Sequence, residues 1–78
     1  MKKAVQLGKY IVADPRICHG KPTFKGSRVM VWQVLEALAD GESWDEIMDD
    51  WPGSVTCEAI SEAIRLSSAA FLSRATVR

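Results

Sequence analysis

Lys9-Tyr10-Ile11-Val12-Ala13-Asp14-Pro15-Arg16-Ile17-Cys18-His19-Gly20-Lys21-Pro22-Thr23-Phe24-Lys25-Gly26-Ser27-Arg28-Val29-Met30-Val31 is the stretch on which the reading of this chain turns. Pro15, Gly20, Pro22 and Gly26 each interrupt a helix, while Tyr10 to Val12 and Thr23 to Phe24 are β-prone. Residues 9–30 therefore read as a short, irregular two-stranded element with tight turns. Seven basic residues precede Val31 (Lys2, Lys3, Lys9, Arg16, Lys21, Lys25 and Arg28), against the single acid Asp14.

The rest of the chain, over 31–74, reads as three helices. Val31, Val34, Leu35 and Leu38 fall at i, i+3, i+4 and i+7, one stripe of a first helix that Gly41 stops with a left-handed residue. Ser43 and Glu46 have capping-box spacing at the start of a second helix, whose stripe is Trp44, Ile47, Met48 and Trp51 and which Pro52-Gly53 ends. Thr56 is the expected N-cap of a third helix, with Glu58 placed in its first turn to favour the open N–H groups. Its core stripe is expected to be Ile60, Ala63, Ile64, Ser67 and Phe71. Short helix, turn and longer helix make a helix-turn-helix outline. The fold class is thus mainly α: a homeodomain-like three-helix domain preceded by a short N-terminal β element, with 1–78 as a single domain.

Those residues also carry a resemblance. Ile-x-x-Asp-Pro-x-Ile-Cys-x-Gly-Lys-Pro-x-x-Lys-Gly-x-Arg-Val, running from Ile11, resembles the opening signature of domain-of-unknown-function family number 433, small prokaryotic proteins treated as antitoxins of the VapB-like kind. Val31 to Ala39, Asp-Gly-Glu-Ser-Trp-Asp-Glu-Ile-Met-Asp-Asp-Trp-Pro, and then Val55-Thr56 and Cys57 to Ile60 are similar to the family's helices and turns, so the likeness spans roughly residues 9–70. His19 stands where the family usually has a second Gly, and Cys57 where it has an aliphatic or polar residue. The resemblance implies a homeodomain-like three-helix fold and a gene partner that is often a PIN-like nuclease. It implies no catalytic activity.

Charge and size set further bounds. Residues 31–64 contain nine acids and no Lys or Arg, and Arg65, Arg74 and Arg78 follow, so a neutral chain is strongly bipolar. Such a chain can bind anions at its ends, or pair its basic and acidic parts with each other. Seventy-eight residues bury only about 60–65% of their unfolded surface, so one small core carries stability or shares it with a second chain. Ala59, Leu66, Ala69, Ala70 and Leu72 widen the apolar arc of the third helix beyond what that core needs, unless the chain past Ser68 lies in solvent. A homodimer is expected, with Ile64 and Phe71 at its interface. No transmembrane run, secretory leader or lipidation motif is present, which leads us to expect a cytoplasmic protein with no membrane partner. Cys18 and Cys57 are too few for a disulfide framework and read as small apolar fillers.

Three function classes are open to such a chain. For DNA binding, Cys57, Glu58, Ser61 and Glu62 would face the groove, and two carboxylates there oppose phosphate. A backbone would instead be held by the N-terminal cluster of Lys2, Lys3, Lys9, Lys21, Lys25 and Arg28, with Lys21, Lys25 and Arg28 expected to matter most and Gly26-Ser27 offering N–H donors, unless these are an ordinary solvated surface. For an antitoxin, Phe71, Leu72, Arg74 and Arg78 combine apolar anchors with guanidiniums able to enter the carboxylate cluster of a PIN-like ribonuclease. Their bland reading is a tail kept soluble. For an enzyme, Cys18-His19 lacks the further ligands and spacing of a zinc motif, Asp45-Glu46 and Asp49-Asp50 read as a solvated helix face, and no phosphate-binding glycine loop follows a strand. Trp32, Trp44 and Trp51 read as core and staple residues. The expectation is therefore an antitoxin of a type II pair that neutralises a PIN-like toxin and also contacts its own DNA, with no catalytic residues, metal or cofactor. The alternative is a helix-turn-helix DNA-binding regulator without a toxin partner.

Overall fold

A computed structural model of the chain describes residues 3–75. Its strands are β1 (Val5–Gln6), β2 (Ile11–Ala13) and β3 (Pro22–Phe24), and its helices are α1 (Val31–Ala39), α2 (Trp44–Asp50) and α3 (Cys57–Arg74). The strands form one antiparallel sheet in the order β1-β2-β3, with Val5 opposite Ala13 and Ile11 opposite Phe24. The N-terminal element is therefore three-stranded, not two-stranded. Val5 and Gln6 are both exposed, so β1 bears no mark of burial and exists through its pairing with β2.

Local chemistry places each helix. Gln33 Oε1 accepts the Met30 N–H at 2.9 Å ahead of α1, and Gly41, with φ +93°, ends it. At α2, Ser43 Oγ accepts the Glu46 N–H at 3.1 Å while Glu46 Oε1 accepts the Ser43 N–H at 2.7 Å. That reciprocal pair holds the Glu46 carboxyl below the usual range, chiefly through the backbone N–H of Ser43. Thr56 Oγ1 accepts the Ala59 N–H at 3.2 Å and opens α3.

The core lies between sheet and helices: Ile11, Phe24, Val34, Ile47 and Ile60 are fully buried, with Val29, Val31, Ala37, Val55, Ala59 and Ala63 around them. Leu35, Leu38 and Met48 pack on it only partly. On α3 the burial stops at Ala63. Ile64 is 40% and Phe71 75% exposed, so the expected stripe continues along a helix that has outrun the body beneath it. Eighteen residues make a helix about 27 Å long, more than so small a core can cover.

Other side chains also depart from their expected places. Trp32 is exposed at the second residue of α1, where its Nε1–H donates to Met30 Sδ at 3.2 Å, and Trp44 is exposed at the first residue of α2. A seven-residue helix turns only Ile47 fully inward, so of the three tryptophans Trp51 alone packs partly on the core. Cys57 is not a core filler; it starts α3 in solvent, with its Sγ 3.6 Å from Met48 Sδ. Among the described residues no helix is long and apolar enough to cross a membrane.

Candidate interaction surfaces

Two surfaces of different chemistry stand out. The first is built on tight turns. Ser27 fixes the β3–α1 connection: its Oγ donates to the Phe24 carbonyl at 2.8 Å and accepts the Val29 N–H at 3.1 Å, around Gly26 at φ +80°. The Lys25 N–H donates to the Tyr10 carbonyl at 2.8 Å and ties this turn to the sheet. Lys25 and Arg28 are thus displayed from a rigid frame. Opposite it, the Trp51 carbonyl accepts the N–H groups of Ser54 and Val55 across the α2–α3 turn.

Between the two turns lie two concavities that share Ser54. One, of about 800 Å³, places Arg28 with Ser27, Gln33 and Trp51. The other, of about 250 Å³, gathers Lys25 with Lys9, Tyr10 and Thr56. Lys9 Nζ sits 5.4 Å from the Tyr10 ring centroid, a cation–π distance. Lys25 and Arg28 therefore come together at one turn and Lys9 joins them, whereas Lys21 stands apart beyond the Cys18–Gly20 turn. Among the described residues the one ion pair is Arg16 to Asp14 at 2.9 Å, so these cations do not pair with the acidic helices.

Glu58 and Glu62 of α3 line a neighbouring concavity with Lys9 and Arg65, while the acids around α2 collect elsewhere. Loss of water around Glu42, with Asp50, Glu46 and Asp40 nearby, pushes its carboxyl above the usual range. Among the described residues no group of three or more His, Cys, Asp or Glu is placed to hold a metal ion. Cys18 and His19 share a strained turn, with φ of +50° and +58°, where the Cys18 thiol donates to the Arg28 carbonyl at 3.5 Å.

The second surface is the distal half of α3. Ala63, Leu66, Ser67 and Ala70 form one wall of an apolar groove of about 370 Å³ whose other wall includes Leu7, Ile11 and Val31. Around the helix from that wall, Ile64 and Phe71 lie seven residues apart on one side, and Leu72 is 72% exposed on another. Arg74, in the last turn, is exposed. Arg78 lies outside the described residues. Periodicity alone gives no sign of the groove, because its second wall comes from the β1–β2 turn, β2, the start of β3 and the start of α1.

The model of the family described as protein of unknown function, DUF433, matches residues 11–66. The chain is a DUF433 protein. The match covers both turns of the basic surface and α3 as far as Leu66. This DUF433 chain is also similar to the crystal structure of Rv2018 from Mycobacterium tuberculosis, at 32% identity and a TM-score of 0.69. The similarity covers 82% of this chain but 31% of that one, so the DUF433 chain spans about a third of the length of the protein it matches. No curated protein matches its sequence.

Proposed function

We propose that this DUF433 protein is the antitoxin of a type II toxin–antitoxin pair, acting as a homodimer in the cytoplasm and neutralising a PIN-like ribonuclease through the C-terminal part of α3. The observation that carries the reading is the helix that outruns its core, leaving Phe71 and Leu72 about three-quarters exposed and followed by Arg74. Aromatic and Arg residues are enriched at interface hot spots, and a guanidinium forms bidentate bonds to carboxylates of the kind that hold metal in PIN-like nucleases. The resemblance noted above supplies the expected class of partner.

Co-expression with the neighbouring gene tests it, comparing the full chain with one ending at Leu66. The shorter form keeps every buried residue of the core, so it separates folding from binding. The full chain is expected to bind and protect and the short one to fail. Equal protection by both would overturn the C-terminal mechanism, and no binding by either would overturn the antitoxin reading.

A second reading is favoured by the cations of the β1–β2 and β3–α1 turns, which make no ion pair: contact with DNA phosphates through Lys9, Lys25 and Arg28, either as autoregulation by the antitoxin or as the activity of a helix-turn-helix regulator without a toxin.

A further inference from the structure

We infer that two copies of this chain pair through antiparallel α3 helices about a two-fold axis passing between Ser67 and Ser68, with Phe71 of each copy packed on Ile64 of the other. The inference deepens the homodimer within the proposed function and does not require that the toxin reading be correct.

Three observations converge on a second copy as the occupant of this face. Ile64 and Phe71 are exposed and lie on one side of α3, where nothing in the fold covers them. Their positions are symmetric about Ser67 and Ser68, so an antiparallel copy brings Phe71 to Ile64 and Ile64 to Phe71 in the same contact. A two-fold interface demands this self-complementarity, and a foreign partner does not. The residues at the crossing are small, which lets the two backbones approach, and Ser67 Oγ is already satisfied by donating to the Ala63 carbonyl at 2.8 Å.

Charge selects the direction. Glu58 and Glu62 lie in the first half of α3, and Arg65 and Arg74 in the second. A parallel pair sets like charges level with each other. The antiparallel pair brings Arg74 level with Ser61 of the second copy, within a turn of its Glu58, and it opposes the two helix dipoles. Leu72 lies about 100° around the helix from Phe71, so it stays outside the contact that Phe71 makes with the second copy.

Sedimentation and light scattering of the full chain at tens of micromolar should report twice 8.6 kDa. Phe71→Asp should weaken association by about thirtyfold or more while circular dichroism and melting stay unchanged, because Phe71 lies past the last buried residue of α3. In a variant with Cys18 and Cys57 both changed to Ser, Ser67→Cys should give covalent dimers on oxidation and Leu72→Cys should not. A monomeric wild-type chain, a dimer indifferent to Phe71→Asp, or cross-linking at Leu72 in place of Ser67 would each overturn the inference. Toxin binding by a chain that remains monomeric would overturn it while leaving the antitoxin reading standing.

Discussion

Glu62 on α3 accepts the Tyr10 N–H at 2.7 Å through Oε1, and its second oxygen accepts the Lys9 N–H at 2.8 Å, so one carboxylate buckles the long helix to the β1–β2 turn across more than fifty residues. Gly8 completes the arrangement: a Cβ there would stand 2.5 Å from the same carboxylate. Charge-assisted bonds of this kind contribute about 1.5–3 kcal/mol, and two N–H donors lose their acceptor if it goes. Glu62→Ala should lower unfolding stability by about 2 kcal/mol in urea titrations. Gly8→Ala should cost a similar amount by displacing the carboxylate, and the double variant should cost much less than the sum, because both changes remove one buckle. Additive losses would show that the two act separately.

His19 holds φ +58° between Cys18 at +50° and Gly20 at +82°. Left-handed backbone costs a residue with a Cβ about 1–2 kcal/mol, least for residues such as His and Asn and most for β-branched ones. This gives the physical sense of a Gly at that position in the family pattern. His19→Gly should leave stability unchanged or raise it by up to about 1 kcal/mol, and His19→Val should lower it by about 1–2 kcal/mol, as read from thermal melting. A stabilising Val would mean that this turn relaxes at no cost.

The capped helices were legible because their signals are local. Ser43 with Glu46, and Thr56 with the N–H three residues on, act within one turn, so spacing alone locates them. What spacing does not carry is the extent of the body on which a stripe rests. Ile64 and Phe71 have the period of a core, and Phe71 lies beyond its end. β1 was illegible for the converse reason, since Val5-Gln6 is ordered by its partner and not by its own pattern. Of the basic surface, Lys25 and Arg28 were readable from the turn that presents them. Lys9 joins them through the Glu62 buckle and the Lys25 to Tyr10 backbone bond, both long-range contacts.

Two carboxyls set opposite pH dependences. Asp14 is held below the usual range, first by the side-chain bonds from Arg16 Nε and Nη2 at 3.0 and 2.9 Å, then by the Arg16 N–H. Its folded state binds the proton less tightly than its unfolded state, so its contribution is present above the ordinary carboxyl range of about 4 and is lost as pH falls through the lower folded value. Glu42 is raised, first by loss of water and then by Asp50. The folded state holds its proton more tightly, so its contribution is present below that range and is lost as pH rises through the higher folded value. Glu42→Gln should therefore raise the urea midpoint at pH 7 and leave it nearly unchanged at pH 3.5, whereas Asp14→Asn should lower it at pH 7 and matter less at the acid end. A Glu42→Gln effect equal at both pH values would rule out titration as the cause.

DNA contact, if it belongs to this chain, should follow the surface that the turns build and not the first turn of α3. Glu58 is exposed in the first turn of α3, where a carboxylate opposes phosphate, while Lys9, Lys25 and Arg28 make no ion pair and line the concavities that share Ser54. Each cation that touches phosphate contributes about 0.9 to the slope of log affinity against log salt. Lys25→Gln and Arg28→Gln should each flatten that slope by about one and weaken binding alike on all sequences. Lys21→Gln, standing apart from both concavities, should do less, and Ser61→Ala should do nothing. Fluorescence anisotropy with a duplex of the upstream sequence at two salt concentrations checks all four variants. Loss of binding at Ser61 with none at Lys25 or Arg28 would return the contact to the recognition-helix mode, and equal loss at Lys21 would mean that diffuse charge and not the turn-built surface holds the DNA.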